Sequence, residues 1–444
     1  MTKNLTEGKP VSLILKFMFP LLLGNLFQQT YNMIDAAIVG QVLGENALAG
    51  VGASSSVQFL ILGFCIGICC GFGIPISQRF GARDFVSMRN YIFHACVLAV
   101  VFAVILTTCC VGLCPQILKL MSTPDEIYQE AYTYLVIIFL GIPFTVLYNL
   151  MAGFLRAVGD SKTPFLFLAF STCVNIGLDL FFIIVLKWGV AGAATATITA
   201  QGMSGLLCLL YIVHKVSILH LKRENRKLEI FYIRKLLIMG VPMGLQYSIN
   251  AIGSMVMQAS NNSLGTIYVT AFTAGTKIKQ FMACPFDALG TAICTYCGQN
   301  LGANRMDRVK KGIKDGLMIG ILYGIIAGFI LIFWGRTLSC LFISVDSTEV
   351  LDAAARYLRC MGYCYWILGI LNVTRQAIQG LGYAGRAVFA GVVEMIARSL
   401  VCFTLVPKYG YLVICWTDQT AWIVAAIYLI PVCIYCIRKI EERK

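Results

Sequence analysis

"FPLLLGNLFQQTYNMIDAAIVGQVLGENALAGVGAS", residues 19–54, and "VPMGLQYSINAIGSMVMQASNNSLGTIYVTAFTAG", residues 241–275, decide the architecture. Each is an apolar stretch with proline at its second position, then a short polar turn, then a second apolar stretch. The register continues outward. "SQRFGARDFVSMR" from Ser77 aligns with "GQNLGANRMDRVK" from Gly298, and later "GFLRAVGDSK" aligns with "QAIQGLGYAG", with the offset staying near 221 to 223 residues. Self-similarity at one fixed spacing marks a duplicated unit, here close to half of the 444 residues.

Composition says what the unit is made of. The chain is 59% hydrophobic and 13% charged, with a mean hydropathy of +0.80, whereas soluble domains carry about 25% charged residues. Apolar runs long enough to cross a bilayer are predicted at 13–40, 46–76, 90–117, 127–155, 163–186, 191–213, 233–262, 266–297, 312–334, 350–378, 387–407 and 411–437. The expected fold is an all-α polytopic membrane protein of twelve transmembrane helices in two six-helix, pseudo-symmetric lobes: an N-lobe at 1–213, a basic linker at 214–235 and a C-lobe at 236–444.

The net charge of +14 would suit a nucleic-acid partner in a soluble chain, but here the cations alternate by loop. The N-terminal arm (Lys3, Lys9, Lys16), "RFGARDFVSMR", "RAVGDSK", "HKVSILHLKRENRKLEIFYIRK", "NRMDRVKKGIK", "GYAGR" and the tail "RKIEERK" hold most Lys and Arg. The intervening loops hold one apiece or none. The positive-inside rule then puts the rich loops and both termini in the cytoplasm, which an even number of spans allows. No cleavable signal peptide is expected, because the first apolar run is long, contains Pro20 and is not followed by a small-residue cleavage site. The nineteen cysteines fall mostly inside apolar runs, as in "CIGICCGFG", and read as reduced thiols used as small hydrophobes. The three histidines form no metal spacing with them, and no "HExxH", "GxSxG" or Walker A run occurs. An enzyme is therefore not expected.

Parallel repeats of this kind place a substrate pathway at the interface of the halves. Within the first half, "VNIGLD" sets Asn175 and Asp179 one helical turn apart, on one face. Counting 1.5 Å per residue from the expected outer ends puts Asp179 about 12 Å, Asp35 about 14 Å, Thr197 about 12 Å and Asn175 about 18 Å deep. Two carboxylates, an amide and a hydroxyl at similar depth are hard oxygen ligands for a small cation. Two anions held close in a low dielectric also resist ionising together, which suits a proton carrier. The plain alternative is a pair of carboxylates satisfied by interhelical hydrogen bonds, a costly way to join helices.

These segments resemble the multidrug and toxic compound extrusion (MATE) family over essentially the whole chain. The resemblance rests on residues 19–52, "GIPISQRFGARD" with its duplicate "GQNLGANR", "RAVGDSKTP", and "NIGLD" followed by Thr197. It implies a twelve-helix exporter that exchanges Na⁺ or H⁺ for organic, often cationic compounds and needs no cofactor. Asp35, Asn175, Asp179 and Thr197 match the family's N-lobe cation site, and would be the metal ligands if the ion is Na⁺. The NorM-like branch also carries acids in the seventh and tenth spans. Here the seventh has none, the tenth has only Asp352 near its outer end, and the second-half counterpart of Asp35 is about Met257. The chain thus looks closer to the branch of DNA-damage-inducible protein F (DinF), with coupling confined to the first half.

Charged residues in the second half form a further set of candidates. Lys277, Lys279 and Asp287 lie in the eighth span, Arg375 in the tenth, and Glu394 with Arg398, which aligns with Asn175, in the eleventh. An ion pair is the readier explanation for these than substrate contact, since an unpaired charge would be costly. Substrate-cavity candidates are Gln28, Tyr31, Met33, Tyr247, Met255, Met257, Phe281 and Met282, because aromatic and Met surfaces repack around varied apolar cations. The expected partners are a small-molecule substrate and the lipid bilayer, with no nucleic acid, and the expected form is a monomer in a bacterial-type plasma membrane. The alternatives are a lipid-linked oligosaccharide flippase, disfavoured by the first-half carboxylates, and an exporter of an endogenous metabolite.

Overall fold

The computed structural model describes residues 4–121 and 123–442, so Lys3 and the final Arg443 and Lys444 of the basic termini lie outside it. The first half contains α1 (Pro10–Leu43), α2 (Glu45–Gly81), α3 (Phe85–Gly112), the short α4 (Cys114–Leu120), α5 (Asp125–Leu140), α6 (Ile142–Ala157), α7 (Lys162–Leu180) and α8 (Val190–Lys215). The second contains α9 (Ile230–Asn262), α10 (Thr266–Gly302), α11 (Met306–Ser339), α12 (Thr348–Gly380), α13 (Ala384–Thr404), the short α14 (Val406–Tyr409) and α15 (Tyr411–Glu441). Among the described residues nine helices are long and apolar enough to cross a membrane singly, and α5 with α6 forms a tenth, bent span. The remaining two, α10 and α12, have 37 and 33 residues, and about 20 suffice to span. Their composition is what sets them apart: Lys277, Lys279 and Asp287 in α10, and Glu349, Asp352, Arg356, Arg359 and Arg375 in α12. The result is twelve spans, six per half.

The fourth span departs from the unbroken run expected at 127–155. It is broken at Gly141, and α5 and α6 differ in direction by 45°. Pro143 lacks the N–H that would reach the carbonyl of Phe139, and its ring crowds that carbonyl, so the helix cannot run straight through. Gly141 is required at the corner because a Cβ there would collide with Ile198 of α8.

The duplication is written into the turns. Left-handed backbone occurs at Gly44 and Gly265, Arg83 and Asn304, Gly159 and Gly382, and Gly189 and Gly410, pairs separated by 221, 221, 223 and 221 residues. Their hydrogen bonds match as well: Asp84 N–H donates to Arg79 O at 3.0 Å as Arg305 N–H donates to Asn300 O at 2.9 Å. Two compact units result, one containing Leu23–Ser248 and the other containing Thr6–Leu22 and the chain from Ile249 onward. The start of α9 belongs to the first unit because its Met239–Gly244 stretch packs backbone to backbone on Gly67 and Gly71 of α2, the close approach that small residues permit between membrane helices. The first unit's core is built around Phe72, Met88, Leu135, Phe139 and Phe154, and the largest fully buried side chains of the second are Tyr296, Tyr357, Tyr365 and Phe286.

The basic linker is docked on α3. His94, fully buried, holds the Asn90 carbonyl with Nδ1 at 2.7 Å and accepts from the Glu229 N–H with Nε2 at 2.8 Å. Asn225 donates to Asn90 Oδ1 at 2.6 Å. All nineteen cysteines are free thiols.

Candidate ion and substrate sites

In the first half, α1 presents Tyr31 and Asp35, α7 presents Asn175 and Asp179, and α8 presents Thr197. The i, i+4 spacing on α1 and on α7 puts each pair on one helix face. Asp35, Asn175 and Asp179 are 7%, 1% and 0% exposed. Asn175 bridges: in the amide orientation that satisfies both its atoms, Nδ2 donates to Asp179 Oδ2 at 3.3 Å and the oxygen accepts from the Thr197 N–H at 3.3 Å. The Tyr31 hydroxyl donates to Thr197 Oγ1 at 3.4 Å, and Thr197 in turn donates to Ala193 O at 3.1 Å. Asp35 lies within electrostatic reach of Asp179. Directly after Asp179 the helix widens into a π turn, with Leu186 N–H reaching five residues back to Phe181 O at 3.0 Å, an irregularity frequent at functional sites.

Two atoms stand out. Asp35 Oδ1 and Asp179 Oδ1 are buried with no hydrogen-bond partner among the described residues, although an unpaired buried polar group ordinarily costs about 1–3 kcal/mol and a charged one more. A proton or a small cation would meet that need, and the donor set (carboxylate, amide and hydroxyl oxygens) is of the kind such ions take. Beside these residues is a small cavity of about 20 Å³ lined by Gln28, Tyr31, Leu168, Ser171, Thr172, Asn175, Thr197, Ala200 and Gln201, room for about one water.

The second half holds a different cluster, an alternating chain of five charges. Arg375 (α12) pairs with Glu394 (α13), and Glu394 Oε2 meets Arg398 at 3.5 Å. Arg398 Nε bonds Asp418 Oδ1 (α15) at 3.0 Å, and Lys279 (α10) bonds Asp418 Oδ2 at 2.7 Å. The Tyr357 hydroxyl also donates to Asp418 Oδ2, at 3.2 Å. Every acid in this chain is flanked by cations on both sides.

The MatE family pattern matches the chain twice, over residues 20–181 and 242–404. The chain belongs to the MATE family of transporters. The two matches begin 222 residues apart and end 223 apart, the spacing of the internal repeat. Probable multidrug resistance protein YpnP of Bacillus subtilis is 35% identical over 387 residues, covering 85% of this chain and 84% of that protein. A FAD transporter of Shewanella oneidensis is 23% identical, covering 82% and 81%. Among solved structures, a MATE in complex with MaL6 superposes with a TM-score of 0.92 at 20% identity over the full length of both chains. An outward-facing multidrug resistance MATE transporter gives 0.91 at 20% identity, over 98% of each.

In this MATE transporter the sequence candidates separate clearly. Gln28 and Tyr31 line the first-half cavity. Met33 and Met255 are half-buried, as are Phe281 and Met282, whereas Met257 is 2% exposed and belongs to the apolar interior of its unit. Tyr247 packs its Cβ against Gly63. Lys277 and Asp287 are exposed on α10. Asp352 forms a surface pair with Arg336 at 3.0 Å.

Asp418 was not among the sequence candidates, nor were Tyr134 and Gln58. Tyr134 lies beside Gln58 and within electrostatic reach of Asp35. The repeat could have found them all. Thr197 plus 221 is Asp418, Gln58 plus 221 is Lys279, Tyr134 plus 223 is Tyr357, and Asn175 plus 223 is Arg398. Four members of the second-half cluster, Lys279, Tyr357, Arg398 and Asp418, occupy duplicated positions of the first-half site.

Proposed function

We propose that this MATE transporter is a cation-coupled antiporter that exports organic, often cationic compounds by alternating access of its two lobes. Asp35, Asn175, Asp179 and Thr197 hold the coupling ion, Na⁺ or H⁺. The observation carrying this reading is the pair of buried carboxylate oxygens left without a partner, in contrast to the second half, where cations already neutralise Glu394 and Asp418. Coupling then resides in the first half alone, as in the DinF-like branch. An organic cation entering the lobe and the coupling ion compete for the same negative charge, and that competition is the exchange.

The energetics suffice. One cation moving down about 100 mV releases about 2.3 kcal/mol and a tenfold gradient costs about 1.4, which supports roughly a 50-fold gradient of a neutral compound. For a monovalent cation exchanged one for one the voltage terms cancel, and the ion's chemical gradient drives export. The protein acts as a monomer in a bacterial-type plasma membrane with both termini cytoplasmic, consistent with the loop charges. The test is ethidium efflux in inverted vesicles, driven separately by an imposed Na⁺ or pH gradient. Efflux that responds to one of these gradients supports antiport, and efflux indifferent to both overturns it.

A further inference from the structure

The five-charge chain in the second half has two ends, and they differ. At one end Arg375 is buried, 5% exposed, with the carboxylate of Asp287 within electrostatic reach. At the other end Lys279 has a side chain 22% exposed, against 3–9% for its neighbours Asp418 and Arg398. An ammonium has three donors. Among the described residues Lys279 spends one of them, on Asp418 Oδ2 at 2.7 Å. Asp418 does not depend on it alone, because Arg398 Nε and the Tyr357 hydroxyl also bond that carboxylate.

The duplication gives the same direction. These positions duplicate the first-half site with its charges redistributed: Gln58 becomes Lys279, Asn175 becomes Arg398, Thr197 becomes Asp418, and the acids Asp35 and Asp179 become Met257 and Cys402. A site shaped by the same fold for a cation thus carries, in the other half, an accessible cation with spare donors.

We infer that Lys279 is the contact residue of an anion subsite in the second half, recognising the carboxylate of a zwitterionic organic substrate. The carboxylate takes the two spare ammonium donors while Asp418 stays on Arg398 and Tyr357, so the buried chain need not break for the ligand to bind. This rests on the export reading above and deepens it by naming a substrate class. A lipid phosphate would satisfy the same ammonium, and the experiment separates the two.

The probes are a zwitterionic fluoroquinolone and its methyl ester, which keeps the amine and lacks the anion. Inverted vesicles bearing wild type, Lys279→Met or Lys279→Arg at matched protein level report the KM for each. The expected result is a ratio of acid to ester preference that falls at least about tenfold in Lys279→Met and returns to within about threefold of wild type in Lys279→Arg. An unchanged ratio in Lys279→Met overturns the subsite, as does an equal loss for acid and ester, which would mark a structural residue. Should wild type move neither these compounds nor ethidium, the export reading fails on its own. Binding of acid against ester to purified protein in detergent, with and without anionic lipid, then decides the subsite: preference for the acid lost in Lys279→Met supports it, and no preference, or a site taken only by the lipid, refutes it.

Discussion

Replacing Asp418 by Asn tests the buried charge chain with almost no change of volume. The wild-type cluster holds three cations and two anions, and Asp418→Asn leaves three against one. Arg398 must then share Glu394 with Arg375, and Lys279 keeps no carboxylate among its described contacts. Breaking a buried pair by removing one partner costs about 3–5 kcal/mol. Because the Lys279 side chain is 22% exposed, the lower end of that range applies, about 3 kcal/mol. Lys279→Met behaves differently, because it leaves two cations and two anions with Asp418 still held by Arg398 at 3.0 Å and Tyr357 at 3.2 Å. Losing one hydrogen bond to a charged group costs about 1.5 kcal/mol. In the double variant no stranded ammonium remains, so the combined loss should fall about 2 kcal/mol short of the sum. The assay is unfolding of the purified protein in mixed micelles with increasing SDS, as a double-mutant cycle. Additivity within about 0.5 kcal/mol, or Lys279→Met as damaging as Asp418→Asn, would refute the reasoning.

The other expectations concern coupling, topology and packing. Asp35→Asn and Asp179→Asn should insert normally or slightly better, since the carboxylate is the costly group in a membrane helix, yet lose ion-driven efflux. Wild-type ion dependence in both would make these residues structural. Asn175→Ala and Thr197→Ala should weaken apparent ion affinity by a smaller factor, about three- to tenfold, in vesicle transport with the ion concentration varied. Glu394→Gln removes the carboxylate shared by Arg375 and Arg398, so it should lower yield and stability more than ion dependence, and normal stability with abolished coupling would move the coupling site. A reporter active only in the cytoplasm should work after the C-terminus or at exposed Lys227; an insertion at Asn225 would instead undo its bond to Asn90. One active only outside should work near Asn262. Gly141→Leu should cost about 1–3 kcal/mol by overpacking against Ile198, read as lost thermal stability, whereas an unaffected protein would mean the bend has slack.

Fold class, span number, the duplication and the family were all legible in the sequence, because each depends on one-dimensional quantities. Burial in lipid demands long apolar runs whatever their partners, and duplicated turns such as "RFGARD" and "NLGANR" recur at one fixed offset along the chain. Asn175 and Asp179 could be placed on one face because helical periodicity alone fixes it. What the linear pattern did not decide was satisfaction. Whether a buried carboxylate is paired depends on which other helix brings a cation within about 3 Å, and Asp418, one acid in an apolar run, meets Lys279 from 139 positions away and Arg398 from 20. Tertiary packing therefore turned two similar-looking sets of charges into opposites: among the described residues, acids with unpartnered oxygens in the first half, and in the second a chain of ion pairs that ends on one accessible cation. The break at Gly141 has the same origin, since the glycine is needed only because Ile198 of another helix stands where a Cβ would be.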